Sequence, residues 1–285
     1  MTREDVFNTL AQWGTDFTPD MIQGTAGLYA PIALRTEESR VTRDIAYGPH
    51  ERHRLNLFRP EGSAPATCVV FVHGGGFVMG DKGGAGDPFQ NHFGAWAARE
   101  GFVGVTVNYR LAPEAMWPDG REDLTAAILH LAEHAKEYGI APGRIVITGT
   151  SAGGTHVADV VARPGDAQPH LLGAAMISGI YDLVIAEADQ FKPQYYGADR
   201  AGWGVASTKA ALAQTSLPCF YTVSELDPPD FQRQAMALAK ARLDETGKWP
   251  LMHVLAGHNH VSAAMQIGSE FDDLGPLLAG FIRDL

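Results

Sequence analysis

Six short apolar runs punctuate the chain from residue 67 onward, and few architectures can accommodate them. Cys68-Val69-Val70-Phe71-Val72, Phe102 to Val107 and Arg144 to Thr148 come first; Leu171 to Ser178, Pro218 to Val223 and Leu251 to Leu255 follow. Runs that are apolar without alternation mark strands covered on both faces. Stretches of helical length lie between them: Phe89 to Arg99, Asp119 to Tyr138, Ala152 to Ala162 and Asp230 to Glu245, with Phe271 to Ile282 closing the chain. Strands alternating with helices predict a mostly parallel, doubly wound sheet with helices on both faces. Upstream, Val41 to Tyr47 and His53 to Phe58 are joined by Gly48-Pro49. Leu55 and Leu57 alternate there with Arg54, Asn56 and Phe58, as in an edge hairpin. The expectation is an α/β fold with eight strands, whose binding sites lie at the carboxyl ends of the parallel strands.

A chain of 285 residues with 45% hydrophobic and 19% charged residues can bury a core without staples, and one domain over 1–285 suffices. Cys68 and Cys219 fall in expected strands, and they read as core residues of a protein in a reducing cytoplasm. Met1-Thr2-Arg3-Glu4-Asp5 has no signal-peptide pattern, and no run of about 18 apolar residues is present. A net charge of −11 argues against nucleic acid and anionic membranes as partners. A small molecule is the expected partner, and a homodimer stays open.

Two regions lack a clear period. In residues 1–39, Val6, Leu10 and Trp13 suit a turn or two of amphipathic helix, whereas Met21 to Pro31 is rich in Gly and Ala and reads as irregular. Residues 182–210 carry Phe191, Tyr195, Tyr196 and Trp203 without a regular pattern. So long an unpatterned stretch inside a compact domain is usually functional. Both regions are expected to cap the site, with Phe77, Tyr195, Tyr196 and Trp203 touching substrate. The Gly-rich segment 80–86 is expected to be a mobile loop.

Chemistry concentrates at strand ends. Gly149-Thr150-Ser151-Ala152-Gly153 follows a strand and opens a helix, the context in which a serine is exposed on a strained turn. A serine hydroxyl is a weak nucleophile and needs a base oriented by an acid. Asp227 follows one later strand, and His258 and His260 follow the last. Glu225 and Asp182 compete with Asp227 for the acid, and either histidine could be the base. His73-Gly74-Gly75-Gly76 offers N–H groups unobstructed by side chains, suited to an oxyanion; no phosphate-loop pattern is present. His130 and His134 could share a metal on a helix, but no third ligand accompanies them. No metal and no cofactor are expected.

His-Gly-Gly-Gly-Phe at 73–77, Tyr-Arg-Leu-Ala-Pro-Glu at 109–114 and Gly-Thr-Ser-Ala-Gly at 149–153 resemble the hormone-sensitive lipase family of esterases. Gly-Asp-Lys at 80–82, Asp227-Pro228-Pro229 and the Gly257 to Ser262 ending resemble kynurenine formamidase-type relatives equally. The resemblance covers residues 40 to 283 approximately and implies an α/β-hydrolase fold. It implies Ser151 as nucleophile, Asp227 as acid and His260 as base, because the family's histidine falls three residues after the glycine matched by Gly257. It also implies Gly75, Gly76 and Ala152 as oxyanion donors. Two departures stand out: the N-terminal segment is shorter than a full lipase cap, and Val261 replaces the family's aromatic. The implied activity is a carboxylesterase for small esters working through an acyl-serine. An arylformamidase or amidase is the alternative. A non-catalytic binding protein on the same scaffold would be expected to lack a triad member, and all three are present.

Overall fold

The computed structural model describes residues 1–285. Its strands are β1 (Val41–Ala46), β2 (Arg54–Phe58), β3 (Ala66–Val72), β4 (Val103–Val107), β5 (Ile140–Thr150), β6 (Leu171–Ile177), β7 (Cys219–Leu226) and β8 (Leu251–Asn259). Its α-helices are α1 (Arg3–Trp13), α2 (Pro19–Tyr29), α3 (Asn91–Arg99), α4 (Asp119–Glu133), α5 (Ala135–Tyr138), α6 (Ala152–Ala162), α7 (Lys192–Tyr196), α8 (Lys209–Gln214), α9 (Pro229–Thr246), α10 (Ser262–Met265) and α11 (Gly275–Arg283). The eight strands form one sheet in the order β1-β2-β4-β3-β5-β6-β7-β8. From β4 to β8 all neighbours are parallel, and β2 is antiparallel to both β1 and β4.

Period two within the apolar runs sorts each strand's side chains to opposite faces. Cys68, Val70 and Val72 join Ile145 and Ile147 against α4 and α6, which contribute Leu124, Ile128, Val157 and Val160. Val69, Phe71 and Val146 point the other way, onto Phe93 and Trp96 of α3 and Leu278 and Ile282 of α11. The chain turns outward in both directions from β3, to β4 on one side and β5 on the other. That switch point opens a crevice at the carboxyl ends of the two strands.

The expected hairpin of β1 and β2 pairs antiparallel at the sheet's edge, with β1 outermost. In β2 the polar Asn56 is buried because its side chain is satisfied within the fold, accepting from Asp44 N–H at 3.1 Å and donating to Gly83 O at 2.7 Å. Three expectations need correction. Residues 21–31 are largely helical: Thr18 caps α2 by accepting from Met21 N–H, and Pro19 occupies the first turn, where its missing N–H costs nothing. The helix expected over 119–138 breaks at His134 into α4 and α5. The 80–86 loop is tied down, through Asp81 to Asn108, Asn56 to Gly83 and Lys82 to Asp44. Both cysteines are free; Cys68 is buried, whereas Cys219 at the start of β7 is half-buried. No helix is long and apolar enough to cross a membrane.

Candidate active site

Ser151 stands between the end of β5 and the start of α6 with φ 55° and ψ −121°. Few side chains adopt that conformation, and it costs of order 1–3 kcal/mol. Neighbouring contacts hold it: Ser151 N–H donates to Ile177 O at 2.9 Å, and Thr155 N–H reaches back to Ser151 O at 3.0 Å. Both flanking glycines are required by close approach. A Cβ on Gly149 would strike the backbone of Gly153, and one on Gly153 would strike Val72 O.

Register brings the partners together. Leu226 of β7 pairs with Asn259 of β8, so the residues that follow, Asp227 and His260, leave the sheet side by side. His260 Nε2 lies 2.8 Å from Ser151 Oγ, and its Nδ1 lies 2.6 Å from Asp227 Oδ1. Asp227 is fully buried and His260 is 2% exposed. The other carboxylate oxygen of Asp227 accepts from Ser178 Oγ and Ser224 N–H, both at 2.7 Å. This carboxylate is therefore fixed from both ends. The competitors are engaged elsewhere. Glu225 accepts from Gly257 N–H at 2.8 Å, and Asp182 pairs with Lys209 at 2.5 Å. His258 turns away, to Ser262 at 3.1 Å and Asp273 at 3.2 Å. His130 and His134 stack on each other with Tyr138 nearby, and no group of three or more His, Cys, Asp or Glu is placed to hold a metal.

The glycine loop passes directly over the serine. β3 pairs with β5 through Val72 and Gly149, which sets Gly74 beside Thr150 and Ser151. A Cβ on Gly74 would lie 3.2 Å from Ser151 Cβ. Gly75 and Gly76 take φ of 116° and 59°, the region that favours glycine. A Cβ on Gly75 would overlap Met79 O, and one on Gly76 would meet Phe191 Cγ at 2.8 Å. The loop rests on His73, whose Nδ1 lies 2.7 Å from Gly74 O and whose ring stacks on Tyr109 at 4.5 Å. Burial lowers the His73 pKa to about 4, so this support stays neutral. Arg52 ties the same region together, donating to Tyr109 O at 2.7 Å and Gly80 O at 2.9 Å.

A cavity of about 1150 Å³ opens above these groups, large for a small-molecule site. Phe17 and Ile22 reach it from the N-terminal segment, Phe191 and Lys192 from the segment after β6, and Phe231 from α9. Phe77 lines it as well. Tyr195, Tyr196 and Trp203 do not. Tyr195 stacks on the far side of Phe77 at 4.6 Å, Tyr196 meets Phe77 edge-on, and Trp203 packs under Tyr196 with its N–H on Gly197 O. These rings form a cluster behind the wall, because the short helix α7 turns Tyr195 and Tyr196 inward, a 3-10 turn over Arg200–Ala206 carries Trp203 beneath them, and Phe191 is left at the cavity. The sequence reading did not single out Ser178, Asn259 or Phe231. Ser178 has φ 50° at a strand end, and Phe231 sits two residues past a Pro-Pro step, but neither pattern names a role.

A serine on such an elbow, beneath a glycine loop and joined to a histidine and an aspartate from later strands, defines an α/β hydrolase in architecture. The family model for the alpha/beta hydrolase fold matches residues 69–259, and the chain belongs to that family. Esterase LipI of Mycobacterium tuberculosis is 42% identical over 36% of this chain and 31% of its own length. The ethyl acetate hydrolase of Pseudomonas putida is 26% identical over 86% of this chain and 82% of its own. Coverage is uneven: the chain spans about a third of LipI and of the carboxylic ester hydrolase LipM, 31% and 35% respectively. Among solved structures, an arylesterase superimposes with a TM-score of 0.72 at 19% identity, covering 99% of this chain and 97% of that one. The thermostable carboxylesterase EstE1 does so with 0.70 at 22%, covering 94% and 97%.

Proposed function

We propose that the chain is a serine carboxylesterase, acting on small, uncharged carboxylic esters through an acyl-serine intermediate. One observation carries the reading. A single imidazole, His260, bridges the strained serine hydroxyl and a buried carboxylate at hydrogen-bond distance on both sides. In the first step His260 Nε2 takes the proton of Ser151 Oγ as that oxygen attacks the substrate carbonyl. The buried carboxylate of Asp227 keeps the Nδ1 proton in place and stabilises the imidazolium. Negative charge gathers on the carbonyl oxygen, and the N–H groups of Gly75, Gly76 and Ala152 receive it, with the start of α6 adding its dipole. The imidazolium returns its proton to the leaving alcohol, the C–O bond breaks, and an acyl-serine remains. Water, deprotonated by His260, then releases the acid and restores the serine.

We read residues 1–285 as one hydrolase domain, with α1, α2 and the segment from 182 to 210 as a small cap. Relatives named as esterases and as an ethyl acetate hydrolase support the ester reading. The test is a panel of p-nitrophenyl esters and aryl-formamides assayed with the unaltered protein and Ser151→Ala. Ester turnover that falls by roughly 10⁶ in the variant is expected. Turnover confined to the formamides would replace the esterase by an arylformamidase. Activity kept above a few per cent in Ser151→Ala would remove the serine from the chemistry.

A further inference from the structure

On the wall of the cavity that His260 also lines, one ammonium is shared by two carboxylates. Lys192 Nζ donates to Asp189 Oδ2 at 2.7 Å and stands 3.4 Å from Asp230 Oδ2. All three residues line the cavity. Lys192 and Asp230 are each 5% exposed, whereas the Asp189 side chain is 40% exposed. The better bond thus goes to the more solvated carboxylate. Asp230 Oδ2 also accepts from Glu187 N–H at 3.1 Å, but its Oδ1 is buried without a partner. Arg233, on the same helix, pairs with Glu187 instead. The cluster therefore holds one negative charge in excess. A buried carboxylate oxygen that lacks a donor is costly, and a donor brought by a ligand relieves that cost.

Mechanism decides which end of a substrate meets this group. His260 must hand its proton to the departing atom, so the leaving group lies on the His260 side of Ser151. Phe231 packs on the His260 ring with centroids 4.1 Å apart, and Asp230 is its neighbour on α9. Asp230 therefore belongs to the leaving-group end.

We propose that Asp230 selects substrates whose leaving group carries a protonated amine. The inference rests on the serine-hydrolase reading. An ammonium paired with the Asp230 carboxylate cancels the excess charge and, as the carboxylate turns toward it, supplies the donor that Oδ1 lacks, while Phe17, Ile22, Phe89 and Met265 offer apolar surface to the rest of the molecule. The chain's net charge of −11 favours the approach of cations to the protein.

Two butyrate esters isolate the effect: that of dimethylaminoethanol, cationic at neutral pH, and its carbon isostere, isopentyl butyrate. The amine ester is expected to have the higher kcat/KM by about tenfold, the factor one charge-assisted hydrogen bond supplies. Asp230→Asn keeps the shape and an acceptor for Glu187 N–H but loses the charge, and there the ratio should fall to about one. The ratio is read within each protein, so a general loss of activity cancels. Equal hydrolysis of both esters by the unaltered protein, with p-nitrophenyl butyrate still turned over, overturns the inference and leaves the esterase reading standing. So does a preference that persists in Asp230→Asn. If no ester is cleaved, the esterase reading falls and binding decides. Ser151→Ala should then be stabilised against heat by the amine ester and not by the isostere at equal concentration, and equal shifts overturn the inference.

Discussion

Thr25, on α2, accepts a hydrogen bond of 2.9 Å from the side-chain amide of Asn259, the residue before His260. Both are fully buried. Asn259 in turn accepts from the N–H groups of Val261 and Ser262, at 3.2 and 2.9 Å. The N-terminal helix thus braces the loop that presents the imidazole, in addition to lining the cavity. Thr25→Val keeps the shape and removes the acceptor, leaving Met21 Sδ at 3.3 Å as the remaining partner of the amide. An unsatisfied buried donor costs about 1–3 kcal/mol. The expected outcome is a stability loss of that size in denaturant titration, with a lower kcat and little change in KM. A stability loss with kcat intact would make the contact purely structural.

The glycine loop gives a sharper effect on rate. Gly75→Ala places a Cβ against the Met79 carbonyl at a φ of 116°. The loop must shift, and its N–H groups move with it. Losing one oxyanion donor lowers kcat by about 10²–10³. Gly75→Ala should show a fall in that range while circular dichroism still reports a folded protein. Unchanged kcat would move the oxyanion donors elsewhere.

Three buried histidines make the fold sensitive to acid. Burial lowers His73 and His92 to about 4 and His156 to about 3. Unfolded, the same rings protonate near pH 6.5. Between those limits the unfolded chain binds more protons, so stability is full above about pH 6.5 and is lost as pH falls. Three rings give a slope of up to about 4 kcal/mol per pH unit near pH 5. Burial holds Asp159 and Asp272 above their ordinary carboxylate value, which opposes part of this loss just above pH 4. Urea titrations at several pH values check the slope. A flat profile between pH 7 and 5 would mean that the rings stay exposed to protons in the folded state.

Much of this site was legible in the sequence because strand ends are legible. Continuous apolar runs located the sheet, and residues just beyond them, Ser151, Asp227 and His260, had to gather at one edge. Choosing His260 over His258 needed family spacing, since two histidines two apart on one loop carry no geometric mark. The helix α2 escaped because Gly24 and Gly27 hid its apolar face, although Thr18-Pro19-Asp20 is a sound helix start. Aromatic content did not reveal which side of a wall a ring occupies. Phe191 and Tyr195 are four residues apart, yet one faces the cavity and the other the cluster behind it. Contacts such as Ser178 to Asp227 and Thr25 to Asn259 join distant segments, and no local pattern encodes them.

That last contrast yields a test of what sets acyl preference. Phe191 stands against the glycine loop, where a Cβ added to Gly76 would meet its ring, and it lines the cavity. Tyr195 is 2% exposed and is stacked on Phe77 at 4.6 Å, with Tyr196 at 4.9 Å on another side. Phe191→Ala removes wall from the space above Ser151 and opens no void in the core. Long acyl chains gain room that short ones cannot use, and pocket contacts of this kind are worth about 1–3 kcal/mol. The kcat/KM ratio of p-nitrophenyl octanoate to acetate should therefore rise by about tenfold or more. Tyr195→Ala instead leaves a buried cavity, and a large aromatic truncation costs about 3–5 kcal/mol. Its melting temperature should fall while the octanoate-to-acetate ratio stays near that of the unaltered protein, because Phe77 still closes the wall. If Tyr195→Ala shifts the ratio and Phe191→Ala does not, the pocket runs behind Phe77, and the wall assigned here is on the wrong side of that ring.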